Sequence, residues 1–230
     1  MPNILLSGRK FSYEIERKSI GSLRLRLKSP RSFIISCHFL APNFIITKFI
    51  NDHSDWIIKN SLLVKVKPSL FGLSKLSILG IDYKLVINKS AHDSVVIYHD
   101  VHQIFVNSTS LISSRLRVLL DKKLRPLALK LITSTLSDLS SQFDFKYGHV
   151  SVRNQSSRFG SCSSRGNLNF NWQIIFFPPE KFRHILLHEL THLAIKDHSK
   201  KFWSQLSLYD PDSRQNNHWL KHQATKYFIV

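Results

Sequence analysis

Three observations predict an α+β fold. Apolar and polar residues alternate with a period of two through much of the first 107 residues. Apolar residues recur at three- and four-residue steps from Leu111 onward. A hydrophobic content of 43%, with 16 Phe, is enough to build a packed core around both kinds of element. The predicted division is a β-rich region over residues 1–107 and a helix-rich region over 108–230, forming one compact unit.

Phe11, Tyr13 and Ile15 alternate with polar neighbours in a first strand. Leu23, Leu25 and Leu27 alternate with Arg24, Arg26 and Lys28 in a second, and Arg31 to Cys37 forms a third. Asn43 opens a helical pattern carried by Ile46, Phe49, Ile50, His53, Trp56 and Ile57. Pro68 to Ser74 reads as a linker-like break. Strands resume at 75–79, 83–88, 94–98 and 103–107, with a hairpin turn at Asp100 to His102. Leu116, Leu120, Leu124, Leu127 and Leu131 mark a helix reaching about Leu139, which Pro126 should kink or split. A strand at His149–Arg153, a Ser/Gly loop and a strand at Asn167–Phe177 follow. Pro178-Pro179 opens a helix expected to run to Lys196, and further helices follow at 201–208 and 215–227. No internal repeat is visible.

Thirty-three basic and 15 acidic residues give a net charge of +18. Such a charge attracts polyanions, so nonspecific nucleic-acid binding at low salt is expected. Eight basic residues lie between Arg9 and Arg31, against Glu14 and Glu16 alone. Cys37 and Cys162 are too few for a disulfide framework and fit a reducing compartment. With no signal-peptide pattern and no apolar run near the ~20 residues of a membrane span, a soluble cytoplasmic protein without a membrane partner is expected.

The chemistry concentrates in His188-Glu189-Leu190-Thr191-His192, followed by His198. On a helix, residues four apart share a face, so His188 and His192 can grip one metal ion. Glu189 stands where a general base belongs, and His198 can supply a third ligand, leaving a fourth position open for water. With twelve His and four Glu in the chain, a chance HExxH arises about once in a hundred such compositions. His184, one turn before His188, competes as a ligand but reads better as a supporting or surface residue. Reaching back with His198 requires a turn, because a continuing helix would carry it ~9 Å further along its axis. Asp197 is the residue there best able to take an unusual backbone conformation.

HELTHLAIKDHSKKFW resembles the YgjP-like zinc metallopeptidase domain and, more distantly, SprT-like and other minimal zincin peptidases. Arg158-Phe159-Gly160-Ser161-Cys162-Ser163 resembles that family's RWGSCS signature, with Phe159 replacing Trp. The stretch from Gly166 to Trp172 resembles the strand that follows it. Trp56-Ile57, Gly80-Ile81-Asp82-Tyr83, Asp210-Pro211-Asp212 and His218-Trp219-Leu220 resemble weaker features. The resemblance implies a zinc-dependent hydrolase, with one Zn2+ on His188, His192 and His198 and Glu189 as base. It also implies a minimal zincin-like catalytic unit in the C-terminal half, against which the β-rich half packs. Metzincin proteases place a Gly between the second and third ligands; here Leu193 to Asp197 contains none.

The segment from Arg158 to Ser163 has two readings. Gly160 and Ser161 let backbone approach a peptide substrate, with Arg158 beside them and Asn169 on a following strand that pairs with the peptide; or the segment is a structural turn. Tyr209 and His218 are alternative oxyanion stabilisers. Cys162 reads as a small buried thiol, or as a fourth ligand in a latent form, and His218 with His222 forms a second histidine pair at ligand spacing. Peptide hydrolysis is the expected reaction. Hydrolysis of nucleotide phosphoanhydrides and a protease tethered to nucleic acid are the rivals, both prompted by the charge.

Overall fold

The computed structural model describes residues 2–62, 70, 73–155 and 158–229. The chain forms two compact units, Met1–Val66 and Lys67–Val230.

In the first unit, β1 (Asn3–Leu6), β2 (Arg9–Lys18), β3 (Arg24–Ser29) and β4 (Ser32–His38) pair in the order β1-β2-β4-β3. Ser7 and Gly8 adopt left-handed backbone (φ 45 and 76), which turns β1 tightly into β2. Phe11, Phe33, Ile35 and Cys37 are buried on one sheet face. They form a core with Ile46 and Ile50 of α1 (Asn43–Asp52) and Ile57 of α2 (Ser54–Ser61).

In the second unit, β5 (Lys75–Ile78), β6 (Ile81–Lys89), β7 (Ser94–Tyr98) and β8 (Gln103–Ser108) pair in the order β5-β6-β8-β7. This is the first sheet repeated, down to a left-handed turn at Leu79 and Gly80 (φ 47 and 83). The repeat expected to be absent is therefore present in the topology. It escapes sequence inspection because only the pattern of inward positions and the turn geometry recur.

α3 (Ser113–Phe143) follows, burying Leu116, Leu120, Leu124, Ala128, Ile132, Leu136 and Leu139 along one stripe. It runs unbroken past Pro126, whose flanking Leu124 and Ala128 are both buried, so packing outweighs the lost hydrogen bond. β7 and β8 pack on α3, so residue 107, the expected boundary, falls inside the second unit.

A small sheet comes next, in the order β10-β11-β9, from β9 (Val150–Arg153), β10 (Gly160–Cys162) and β11 (Leu168–Asn171). The strand expected to reach Phe177 stops at Asn171, whose side chain accepts the Gln173 N–H and starts a 3-10 turn over Trp172–Phe176. α4 (Pro179–Thr191), α5 (Lys200–Tyr209) and α6 (Ser213–Gln223) complete the unit. The expected break at Pro68–Ser74 lies largely outside the described residues. Among those residues, no helix is long and apolar enough to cross a membrane.

Candidate metal centre and its clefts

α4 begins with Pro179 at its first position, where a missing N–H costs nothing, and Glu180 lies in the first turn, favoured by the helix dipole. Phe182, Ile185, Leu186, Leu187 and Leu190 are buried and seat the helix in the core. The remaining face carries His188 and His192, with ring centroids 4.9 Å apart.

The helix ends at Thr191, five residues short of the expected Lys196. Ala194 and Ile195 donate back to the Thr191 carbonyl, and that turn returns the chain to the site. Asp197 is not among the described residues with left-handed backbone. Instead its Oδ1 accepts the Ser199 N–H at 3.0 Å, and Ser199 caps α5 by accepting from Phe202. An early helix end and a polar turn thus do what a glycine would otherwise do.

His198 arrives with its ring centroid 5.0 Å from His188 and 4.7 Å from His192. Its Nε2 lies 2.9 Å from the Nε2 of His188. Ligand atoms of all three imidazoles fall within 4.8 Å of one another. His192 Nδ1 is 2.8 Å from the Ile195 carbonyl oxygen, which can only accept, so the proton sits on Nδ1 and the Nε2 lone pair is free. Phe202 packs against all three rings at 4.5–4.9 Å. Burial drives the His188 pKa down to about 3, with the His192, His184 and His198 rings adding to the effect. Burial also lowers that of His192. Both rings are therefore neutral, the state that ligates a metal. The donor set fits one metal ion.

Glu189 is 7% exposed. Burial pushes its pKa up to about 8, against an opposing pull from Arg158. Its side chain lies on the backbone of Gly160. A methyl group at Gly160 would stand 2.7 Å from Glu189 Cγ and 2.8 Å from Oε1.

Two clefts meet at this centre, sharing Gly160, His188, Glu189 and His198. One, of about 280 Å³, extends towards α6 between Arg158, Phe159 and Ile185 on one side and Asn217, Leu220 and Lys221 on the other. The second, of about 260 Å³, runs along β10 past Ser161 and Cys162 to Lys196.

Arg158, Gly160 and Ser161 therefore line the clefts, whereas Asn169 does not. Asn169 lies on β11, which is paired on both sides, and its Oδ1 accepts from Ser151. The edge strand beside the centre is β10, not the strand after it. Tyr209 and His218 line neither cleft: Tyr209 packs among Phe143 and Phe145, and His218 stacks on His222 at 4.1 Å. Among the described residues, no third ligand joins His218 and His222. Cys162 stands apart from the three-histidine group, half-buried on the cleft wall, with Lys196 Nζ 3.8 Å from its Sγ. His184 is fully buried, its Nδ1 2.5 Å from Asp210 Oδ2, and Asp210 also accepts from Asn216. Burial of His184 rules out its surface reading, and its bond to Asp210, like the cleft places of Asn217, Lys221 and Lys196, has no signal in the sequence. The spacing of Asn217, Leu220 and Lys221 marks one helix face, but nothing local says what that face meets.

The sequence profile of a family described as YgjP-like, metallopeptidase domain matches residues 21–223. No curated protein matches the chain. The solved metallopeptidase zymogen jannalysin of Methanocaldococcus jannaschii is similar at 20% identity, covering 40% of this chain and 96% of its own, with a TM-score of 0.36. The zymogen abylysin of Pyrococcus abyssi is similar at 19% identity, covering 40% and 95%, with a TM-score of 0.35.

Proposed function

The chain belongs to the YgjP-like metallopeptidase family, and from that premise we propose that it cleaves peptide bonds with one zinc ion held by His188, His192 and His198. The observation that carries this reading is the convergence of three imidazoles within 4.8 Å, with Glu189 beside them. Three neutral imidazoles form a donor set that would suit zinc and would leave it a position open to water.

A zinc ion so held supplies a Lewis acid for the scissile carbonyl and acidifies water. Glu189, which lines the cleft beside the three imidazoles, would take the proton of the attacking water and pass it to the leaving amine. The Ile195 carbonyl fixes the His192 tautomer, and Phe202 buttresses the rings. β10 pairs with β11 on one side only, so its outer edge offers backbone N–H and C=O groups to an extended peptide. Residues 108–230 serve as a minimal zincin-like catalytic unit. Two free cysteines suit a reducing compartment such as the cytoplasm.

Zinc content and turnover test the reading together. About one ion per chain is expected, lost in His188→Ala and His192→Ala. Glu189→Gln should keep zinc and lose turnover by at least ~10²-fold. An apo wild type that takes up no zinc, or a Glu189→Gln variant with full activity, rejects it. Casein-like peptides assayed beside nucleoside triphosphates separate peptide from phosphoanhydride hydrolysis.

A further inference from the structure

The two clefts share an unusual charge pattern. Among the described residues, the only carboxylate lining either is Glu189, beside the three imidazoles. Three cations line them: Arg158 and Lys221 in the α6 cleft and Lys196 in the β10 cleft. The α6 cleft also has an apolar lining, from Phe159, Ile185 and Leu220, and one amide, Asn217.

Such a cleft selects by shape and sign. Apolar walls favour a side chain with a methylene stem. Arg158 and Lys221 favour a carboxylate at the end of that stem, and Asn217 can donate to it. A lysine or arginine entering the same space meets two like charges and no acceptor carboxylate except Glu189. Field lines focused in a low-dielectric cleft make this discrimination stronger than an open surface would.

We infer that the cleft between Arg158–Phe159 and α6 is the specificity pocket of the peptidase, and that it takes an acidic residue, best a glutamate, adjacent to the scissile bond. Arg158 and Lys221 are its specificity-determining residues. The inference rests on the peptidase reading above but concerns which peptides bind, so binding is measured separately from turnover.

The zinc-loaded Glu189→Gln protein is titrated with three peptides identical except for Glu, Gln or Lys at one position next to a bond cut by the wild type in a proteome-derived peptide library. If the library contains no cut bond, a peptide pool with that residue fixed beside Ala-Ala replaces the set. The expected order of affinity is Glu, then Gln, then Lys, with Glu over Lys by about tenfold at low salt and less at high salt. Lys221→Glu and Arg158→Glu in the same background should each lower the Glu-to-Lys ratio about fivefold or more. Equal affinities, or ratios unmoved by both charge reversals in proteins of unchanged melting temperature, overturn the inference. Acidic peptides that bind in this order while the wild type cleaves none leave the pocket standing and reject the peptidase reading instead.

Discussion

The two four-stranded sheets are the same object put to different uses. β2 meets β4 in parallel with Ser12 opposite Ser32 and Tyr13 opposite Phe33. β6 meets β8 with Lys84 opposite Gln103 and Leu85 opposite Ile104. The left-handed turns before β2 and β6, at Ser7–Gly8 and Leu79–Gly80, also correspond. What differs is the helix that follows. In the first unit it is a 10-residue α1 that stops at His53 and restarts as α2. In the second it is the 31-residue α3, on which the Trp172–Phe176 turn and α4 pack. The second sheet also meets the Trp172–Phe176 turn that precedes α4, because Leu79 N–H donates to the Ile175 carbonyl at 2.8 Å. One sheet design thus ends in a local core, while its repeat is built into the platform that carries the three-histidine cluster.

The sharpest way to break this comparison is to cut equivalent helix contacts. Ile132→Ala in α3 and Ile50→Ala in α1 each remove a fully buried side chain, at a cost of about 2–5 kcal/mol. Zinc retention during thermal unfolding should separate them: Ile132→Ala releases zinc at a lower temperature, and Ile50→Ala leaves zinc release in place. Equal shifts in zinc release would show that the two units share one cooperative core.

Gly160→Ala comes next, and has no counterpart in the first unit. The methyl group must displace Glu189, so kcat should fall on the order of 10²-fold with zinc content unchanged. Normal kcat in that variant would mean that the Glu189 position is not what Gly160 protects.

Gly80→Ala and Gly8→Ala compare the two turns directly. Both put a side chain into left-handed backbone, at roughly 1–2 kcal/mol. At Gly80 the methyl also stands 3.3 Å from Pro179 at the start of α4, whereas at Gly8 it meets no described atom within 4 Å. Denaturant titration should therefore find Gly80→Ala the more costly by a few tenths to about 1 kcal/mol.

The mildest effect is on pH dependence, and two opposed contributions to it lie in the candidate site. In the metal-free protein Glu189 holds its proton up to about 8, while in the unfolded chain it ionises near 4.5. The folded state then binds more protons, so stability falls as pH rises from about 4.5 to 8. His188, lowered from 6.5 to about 3, acts in the opposite sense, and stability falls as pH drops through that window. The two slopes oppose each other between pH 4.5 and 6.5, which keeps the net change small. Melting temperatures of metal-free Glu189→Gln should lack the alkaline decline, and those of His188→Gln should show a shallower acid one, His192, Asp93 and Asp210 still acting in that sense.

Much of this was legible in the sequence. Strand patterns located nine of the eleven described strands, though not β1 or β10, because four and three residues carry too little pattern. The four-residue step from His188 to His192 placed two imidazoles on one helix face, and the gap to His198 required a turn. The means of turning was not legible: an early helix end and an Asp197–Ser199 bond replaced a strained residue. Asn169 was misplaced beside the cleft because sequence shows a strand but not which neighbour covers its edges.

The division follows from the range of the forces involved. Helix and strand periods, proline starts, serine caps and ligand spacing act within a few residues, so the sequence by itself determined the elements and gathered His188, Glu189 and His192 on one turn. The α6 cleft brings Arg158 opposite Lys221, 63 positions away, and the sheet repeat pairs strands through packing; such contacts arise only when distant apolar faces bury one another. Only the tertiary structure could therefore decide that Gly160 lies on Glu189, that His184 pairs with Asp210, and that cations line the approach to the metal centre.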